Sequence, residues 1–197
     1  MSKPRKKRTK VRPRNAPATR EAILGSALRA FAERGYDGVG LREIAEGIGV
    51  TAMLVHHYFG SKDQLFSEVV ARAVATPSIF TQENIASANP SDVLATTLLK
   101  ATDPDQEPLD GFLIFLHSAS TRRAAEITRE KIEKHQHKAL AAVVRGDHAN
   151  ARAALVLAVI AGVQIMRQMI GLAPLAKADP KVLAKLVAPM LRQLIGS

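Results

Sequence analysis

From Arg20 to Arg34 the apolar residues Ile23, Leu24, Ala27, Leu28 and Phe31 recur at three- and four-residue steps, the period of a helix with one buried face. Thr19 is placed to cap its start and Gly35 to end it in the left-handed conformation. After the turn YDGVG, the apolar positions Leu41, Ile44, Ala45 and Ile48 predict a second, short helix, with Gly40 as its cap and Glu43 at its third position. Gly49 then permits a positive φ, Val50 plugs the gap between helices, and Thr51 caps a third helix through Phe59. Ser61 and Gln64 form a capping-box pattern that opens a fourth helix, running to about Ala75 before Pro77. Two short helices hinged at a glycine and followed by a capped third predict a helix-turn-helix that reads duplex DNA.

The pattern stays helical to the end of the chain. A polar connector reaches Pro90, and Ser91 is the expected cap of a helix carrying Val93, Leu94, Leu98 and Leu99. The acidic, proline-bearing TDPDQEP reads as a loop, Leu109 to Ala119 as an apolar helix, Ala124 to Val144 as a longer amphipathic one, and Arg145 to His148 as a turn. Ala151 to Leu172 is the most apolar segment, uncharged from Ala153 to Ile165 and flanked by Arg152 and Arg167. It is short for a membrane span, so it needs cover on both sides: its own core on one, a second subunit on the other. Ala154, Ala158, Ala161 and Gly162 permit close helix approach. The last helix opens with Asp179 as cap and Pro180 at the first position, carries Val182, Leu183, Leu186, Val187, Met190, Leu191 and Leu194, and is expected to kink at Pro189. Residues 151–172 and 180–195 are therefore the candidate homodimer surface, and no strand or internal repeat is expected.

The stretch TREAILGSALRAFAERGYDGVGLREIAEGIGVTAMLVHHYFGSKDQLF, with its FAERGYDG turn, IAEGIGV turn and HHYFGSKDQL boundary, resembles the amino-terminal DNA-binding domain of the tetracycline-repressor (TetR) family. The resemblance covers roughly Thr19 to Val70. It implies an all-α fold: a three-helix helix-turn-helix domain joined to a larger helical domain that dimerises and binds a small-molecule effector. The expected organisation is an arm at 1–17, a DNA-binding domain at 18–66 with its motif at about 41–60, and an effector-binding and dimerisation domain at 67–197. Carried over position by position, the resemblance implies DNA contacts from Arg42, from Thr51, Ala52, Met53, His56, His57 and Tyr58 on the recognition helix, and from Lys62 as a phosphate-binding lysine at a helix amino terminus. Gly40 stands where the family often has a Ser or Thr cap, Met53 and Leu54 where Gly and Thr are common, and His56 for a frequent Tyr. The resemblance also implies repression of transcription from a near-palindromic operator bound by a twofold dimer.

Charge adds an independent signal. Nine of the first twenty residues are Lys or Arg and none is acidic, leaving 19 basic against 18 acidic residues elsewhere; the net charge of +10 thus resides almost wholly in this arm. With almost no apolar residues and carrying Pro4, Pro13 and Pro17, the arm is expected to be disordered when free. Arg12 and Arg14 are its candidate DNA contacts, lying along phosphates or in the adjacent minor groove. An alternative is a sequence-tolerant DNA-organising or interaction protein driven by the arm, with no effector.

The remaining chemistry is sparse. With no cysteine there is neither disulfide framework nor thiolate metal site, and a cytoplasmic location is expected. No apolar segment follows the basic stretch as it would in a signal peptide. Few aromatics and no Trp argue against recognition of single strands by stacking. His135 and His137 are splayed on a helix, and neither a Gly-rich phosphate loop nor a G-x-S-x-G elbow occurs, so no enzyme, metal, cofactor or membrane partner is expected. Phe112, Phe115, Leu116, His117, Met166 and Met169 are the candidate lining of an apolar effector pocket with one polar group.

Overall fold

The computed structural model describes residues 16–75, 79–106 and 110–196, so Arg12 and Arg14 lie outside the described residues. Every regular element among them is helical. The helices are α1 (Ala16–Arg34), α2 (Leu41–Glu46), α3 (Ala52–Phe59), α4 (Lys62–Ala75), α5 (Gln82–Ile85), α6 (Pro90–Ala101), α7 (Asp110–Ser118), α8 (Arg122–Ile132), α9 (Lys138–Ala141), α10 (Ala149–Gln164), α11 (Ala173–Ala176) and α12 (Pro180–Ile195). A π turn at Glu133–His137 joins α8 to α9, and a second at Ile165–Met169 extends α10.

Local sequence chemistry accounts for most boundaries. Gly35 and Gly49 adopt φ of +70° and +68°, ending α1 and turning the chain between α2 and α3. The hydroxyl of Thr51 accepts from the Leu54 amide, and Ser61 and Gln64 satisfy each other's backbone N–H at 3.0 and 3.1 Å. Asp179 accepts from the Lys181 amide at 2.8 Å ahead of Pro180. Two expected caps lie inside helices instead. Thr19 falls within α1, which is already helical at Ala16, the first described residue. Helix α6 begins at Pro90 after Asn89, burying Ser91 within the first turn, because proline fits a first position where no N–H is required. The polar connector also contains the one-turn α5, capped by Thr81, whose hydroxyl accepts from the Asn84 amide. Helix α12 continues through Pro189.

Packing divides into two cores. The first joins Ile23, Phe31, Ile44, Val55, Phe59, Leu65, Phe66 and Val69 of α1–α4 with Ile114 of α7 and Ala124 and Ile127 of α8. The reading head is thus closed by helices from the later part of the chain, and α4 runs straight across the boundary drawn at residue 66. The second core joins Leu94 and Leu98 of α6 with Leu140, Val156, Ile160, Leu183 and Leu191.

Arg167, read from sequence as a flanking charge, is buried at 2 % exposure. Its Nη1 donates to the carbonyls of Leu99 (2.8 Å) and Thr102 (2.7 Å) and to the Thr102 hydroxyl (3.0 Å), and its Nε donates to the Leu175 carbonyl. The Leu99 and Thr102 acceptors cluster at the carboxy-terminal end of α6, where carbonyls lack helical partners and a cation is favoured by the helix dipole, and Leu175 lies on α11. The span Ala149–Met169 is long and apolar enough to cross a membrane by length and composition alone; here Ala153, Val156 and Ile160 face the second core. Leu155, Met166 and Ile170 on the α10 segment, and Val182, Leu186 and Met190 on α12, remain exposed.

Candidate nucleic-acid interface and effector cavity

Helix α3 is anchored by two side chains, Val55 and Phe59, which are buried in the first core. Helical periodicity then turns Thr51, Met53, His56 and His57 to solvent, Met53 at 82 % exposure. Ala52 is half-buried, and Tyr58 packs partly against the core with its ring 5.7 Å from that of His57. Arg42 is exposed on α2. At the start of α2 the Glu43 carboxylate accepts from the Gly40 amide at 2.8 Å and from Arg34 Nη1 at 2.7 Å. Those two bonds hold its carboxyl below the usual range, the backbone amide first and Arg34 second. Gly40 has no side chain, so this is one half of a capping box.

At the amino terminus of α4, Lys62 is half-buried with its Nζ 4.3 Å from the centroid of the Tyr36 ring. Tyr36 packs edge-on against Phe66, centroids 5.0 Å apart, and its hydroxyl donates to Asp63 Oδ1. The other oxygen of Asp63 accepts from Nε of Arg123, on α8, at 2.7 Å. The Tyr36 hydroxyl, and then Arg123, hold the Asp63 carboxyl below its ordinary value. Burial first, and the Asp63 carboxylate second, push the Tyr36 phenol up to about 12. A second bond crosses the same junction from the Thr121 hydroxyl to Asp37 Oδ2 at 2.7 Å. None of these cross-junction pairs carries a local sequence signal.

Behind the reading head lies a cavity of about 670 Å³ between α1, α4, α7, α8 and α10. Its wall includes Leu28, Val70, Phe80, Phe112, Phe115, Thr128, Ile132 and Gln164. A more open groove of about 630 Å³ adjoins it, sharing Phe115, Thr128, Ile132, Ala154 and Leu157 and adding Arg129, Glu133 and His137. Of the six residues expected to line a pocket, Phe112 and Phe115 do so, stacked at 6.2 Å, whereas Leu116, His117, Met166 and Met169 line neither space. Helix phase separates them. His117 lies against Gly35, where an added Cβ would meet the His117 Cβ at 3.3 Å, and its buried Nδ1 has no hydrogen-bond partner among the described residues. The π turn after Gln164 sends Arg167 inward and leaves Met166 41 % exposed.

Two family models match the chain: bacterial regulatory proteins of the tetR family over residues 23–69, and the tetracyclin repressor-like C-terminal domain over residues 91–195. The regulator BetI of Agrobacterium fabrum is 44 % identical over 54 residues, 27 % of this chain and 26 % of that protein, so the match spans about a quarter of the relative's length. A solved TetR-family regulator from Streptomyces coelicolor is 26 % identical with a TM-score of 0.63, covering 93 % of this chain and 99 % of that one. GusR of Salmonella enterica, at 19 % identity, shares the fold with a TM-score of 0.72 over 94 % of this chain and 100 % of that one. With both of its halves matched and the whole architecture shared with solved members, this chain belongs to the tetR family of bacterial regulatory proteins.

Proposed function

We propose that the protein is a cytoplasmic, homodimeric regulator of transcription, acting as a repressor, that reads a near-palindromic operator and is released from it by a small molecule. The observation that carries this reading is the face of α3: Thr51, Met53, His56 and His57 stand in solvent on a short helix anchored by the buried Val55 and Phe59. A helix so mounted can enter a major groove without disturbing its own core. Thr51, Ala52 and Tyr58 complete the contact surface, with Arg42 and Lys62 on the flanking phosphates. Met53 offers an apolar tip to a thymine methyl, and the two histidines offer ring nitrogens to base edges or phosphate.

The exposed apolar stripe on α10 and α12 supports dimerisation, because a twofold dimer both covers it and presents two recognition helices to successive half-sites. This use of the α10 segment favours a subunit contact over a membrane crossing. The 670 Å³ cavity, walled mainly by apolar side chains with Thr128 and Gln164 among them, suits a compact, largely apolar effector. Such a ligand favours release only by binding the DNA-incompetent arrangement more tightly.

Selection of bound duplexes from a random pool, followed by titration of the best sequence and a scrambled control at several salt concentrations, tests this. Enrichment of a near-palindrome bound well above the control is expected. No enrichment, with affinity governed by salt alone, would overturn the reading in favour of the arm-driven binder.

A further inference from the structure

Helix α8 touches two critical places at once. Near its amino terminus, Arg123 reaches across to Asp63 on the first turn of α4, and farther along the same helix Thr128 and Ile132 form part of the cavity wall. Asp63 in turn accepts from Tyr36, and the Tyr36 ring carries the Lys62 ammonium. Four side chains thus run in contact from the cavity-lining helix to the lysine at the head of α4. Helix α8 can shift as one body, since its backbone hydrogen bonds are internal and its side-chain contacts to neighbouring helices can be exchanged.

The sign of the charges matters here. A carboxylate on a surface offered to phosphate opposes binding, and Asp63 sits next to Lys62 in sequence and beside it in space. Bonded to the Arg123 guanidinium, Asp63 is neutralised by a charge from outside the reading head. Without that partner its negative charge faces both the Lys62 ammonium and the DNA backbone.

We propose that Arg123 is a positioning residue for DNA binding: by engaging Asp63 it leaves Lys62 available to phosphate, and displacement of α8 from the cavity side withdraws it and turns the Asp63 carboxylate against the duplex. This rests on the readings of Lys62 as a phosphate contact and of the cavity as the effector site. The reading head is then switched by exposure of a charge, which acts on any sequence, in addition to any change in the spacing of two recognition helices.

Because the effect is on phosphate affinity, it is measurable on a duplex of arbitrary sequence at low salt, by fluorescence anisotropy with the full-length protein. Arg123→Gln is expected to weaken binding about fivefold, the upper range for an exposed ion pair, and Arg123→Lys to retain most of the affinity. Asp63→Asn is expected to tighten binding slightly, and adding it to Arg123→Gln to restore affinity to within about twofold of Asp63→Asn alone. Restoration by removing the carboxylate is an outcome that a purely packing role for Arg123 does not produce. If Arg123→Gln costs as much in the Asp63→Asn background as in the wild type, while Lys62→Ala weakens binding, the proposal fails and the phosphate reading of Lys62 stands. If Lys62→Ala leaves binding unchanged, both fail. Thermal midpoints of each variant establish that it is folded.

Discussion

Tyr36 links the chemistry of the reading head to pH. Burial and the Asp63 carboxylate push its phenol up to about 12 from the ordinary tyrosine value of 10.0, so the neutral phenol is favoured by the fold. That contribution to stability is fully present below about pH 10 and is lost as pH rises toward 12. Denaturation midpoints measured across this window should fall more steeply for the wild type than for Tyr36→Phe. The chain has two tyrosines and no tryptophan, so a Tyr58→Phe background lets near-ultraviolet absorbance follow the ionisation of Tyr36 alone. On the DNA side, Lys62→Ala should weaken binding to all duplexes in similar proportion, whereas Met53→Ala or His57→Ala should change which bases are preferred; titrations against single-base operator variants separate the two. Several caps whose partners lie within one turn were legible from the sequence: Thr51, Ser61 with Gln64, and Asp179 cap as their spacing implied, whereas Thr81 was not foreseen and Thr19 and Ser91 fall inside helices. Asp63 was not legible, because one partner is Arg123, 60 residues away. Nothing local distinguishes that arginine from Arg122, which pairs with Glu126 on its own helix.

Among the elements, the α10 segment separates what periodicity reveals from what it hides. Its existence follows from an unbroken apolar run, but its inward phase does not, since the π turn at Ile165–Met169 shifts the register by which Met166, Arg167 and Met169 would be placed. For that reason the expected pocket residues on this segment point elsewhere and a charge points inward. Arg167 holds α6 and the π turn together by satisfying the Leu99 and Thr102 carbonyls at the end of α6. Replacing it with Leu leaves those acceptors buried and unmatched, a loss expected to be about 2–4 kcal/mol. Urea denaturation at fixed protein concentration measures it. A gain in stability would mean that the apolar contacts of Leu outweigh the lost hydrogen bonds. Helix α7 teaches the same lesson on a smaller scale: Phe112 and Phe115 share the cavity face, while His117 turns to Gly35 at the junction with α1.

For the whole molecule, the exposed stripe at Leu155, Val182, Leu186 and Met190 is the surface that the proposed dimer would cover. Leu186→Glu, at a position 64 % exposed in the single chain, should leave the fold intact and yield monomers in sedimentation velocity, with loss of affinity for a two-half-site duplex. If the basic arm engages phosphate, as its charge leads one to expect, deletion of residues 1–14 should flatten the dependence of log affinity on log salt, by about 0.9 for each phosphate contact removed. An unchanged slope would mean that these basic residues do not engage the backbone. The two cores bear on another practice, the recombination of regulators from interchangeable parts. Because Ile114, Ala124 and Ile127 complete the apolar interior beneath α1 and α4, a chain cut after Ala75 would leave that interior open to water. A chimera that grafts these first helices onto a foreign sensor must therefore bring a matching α7 and α8, or it will aggregate before it ever meets an operator.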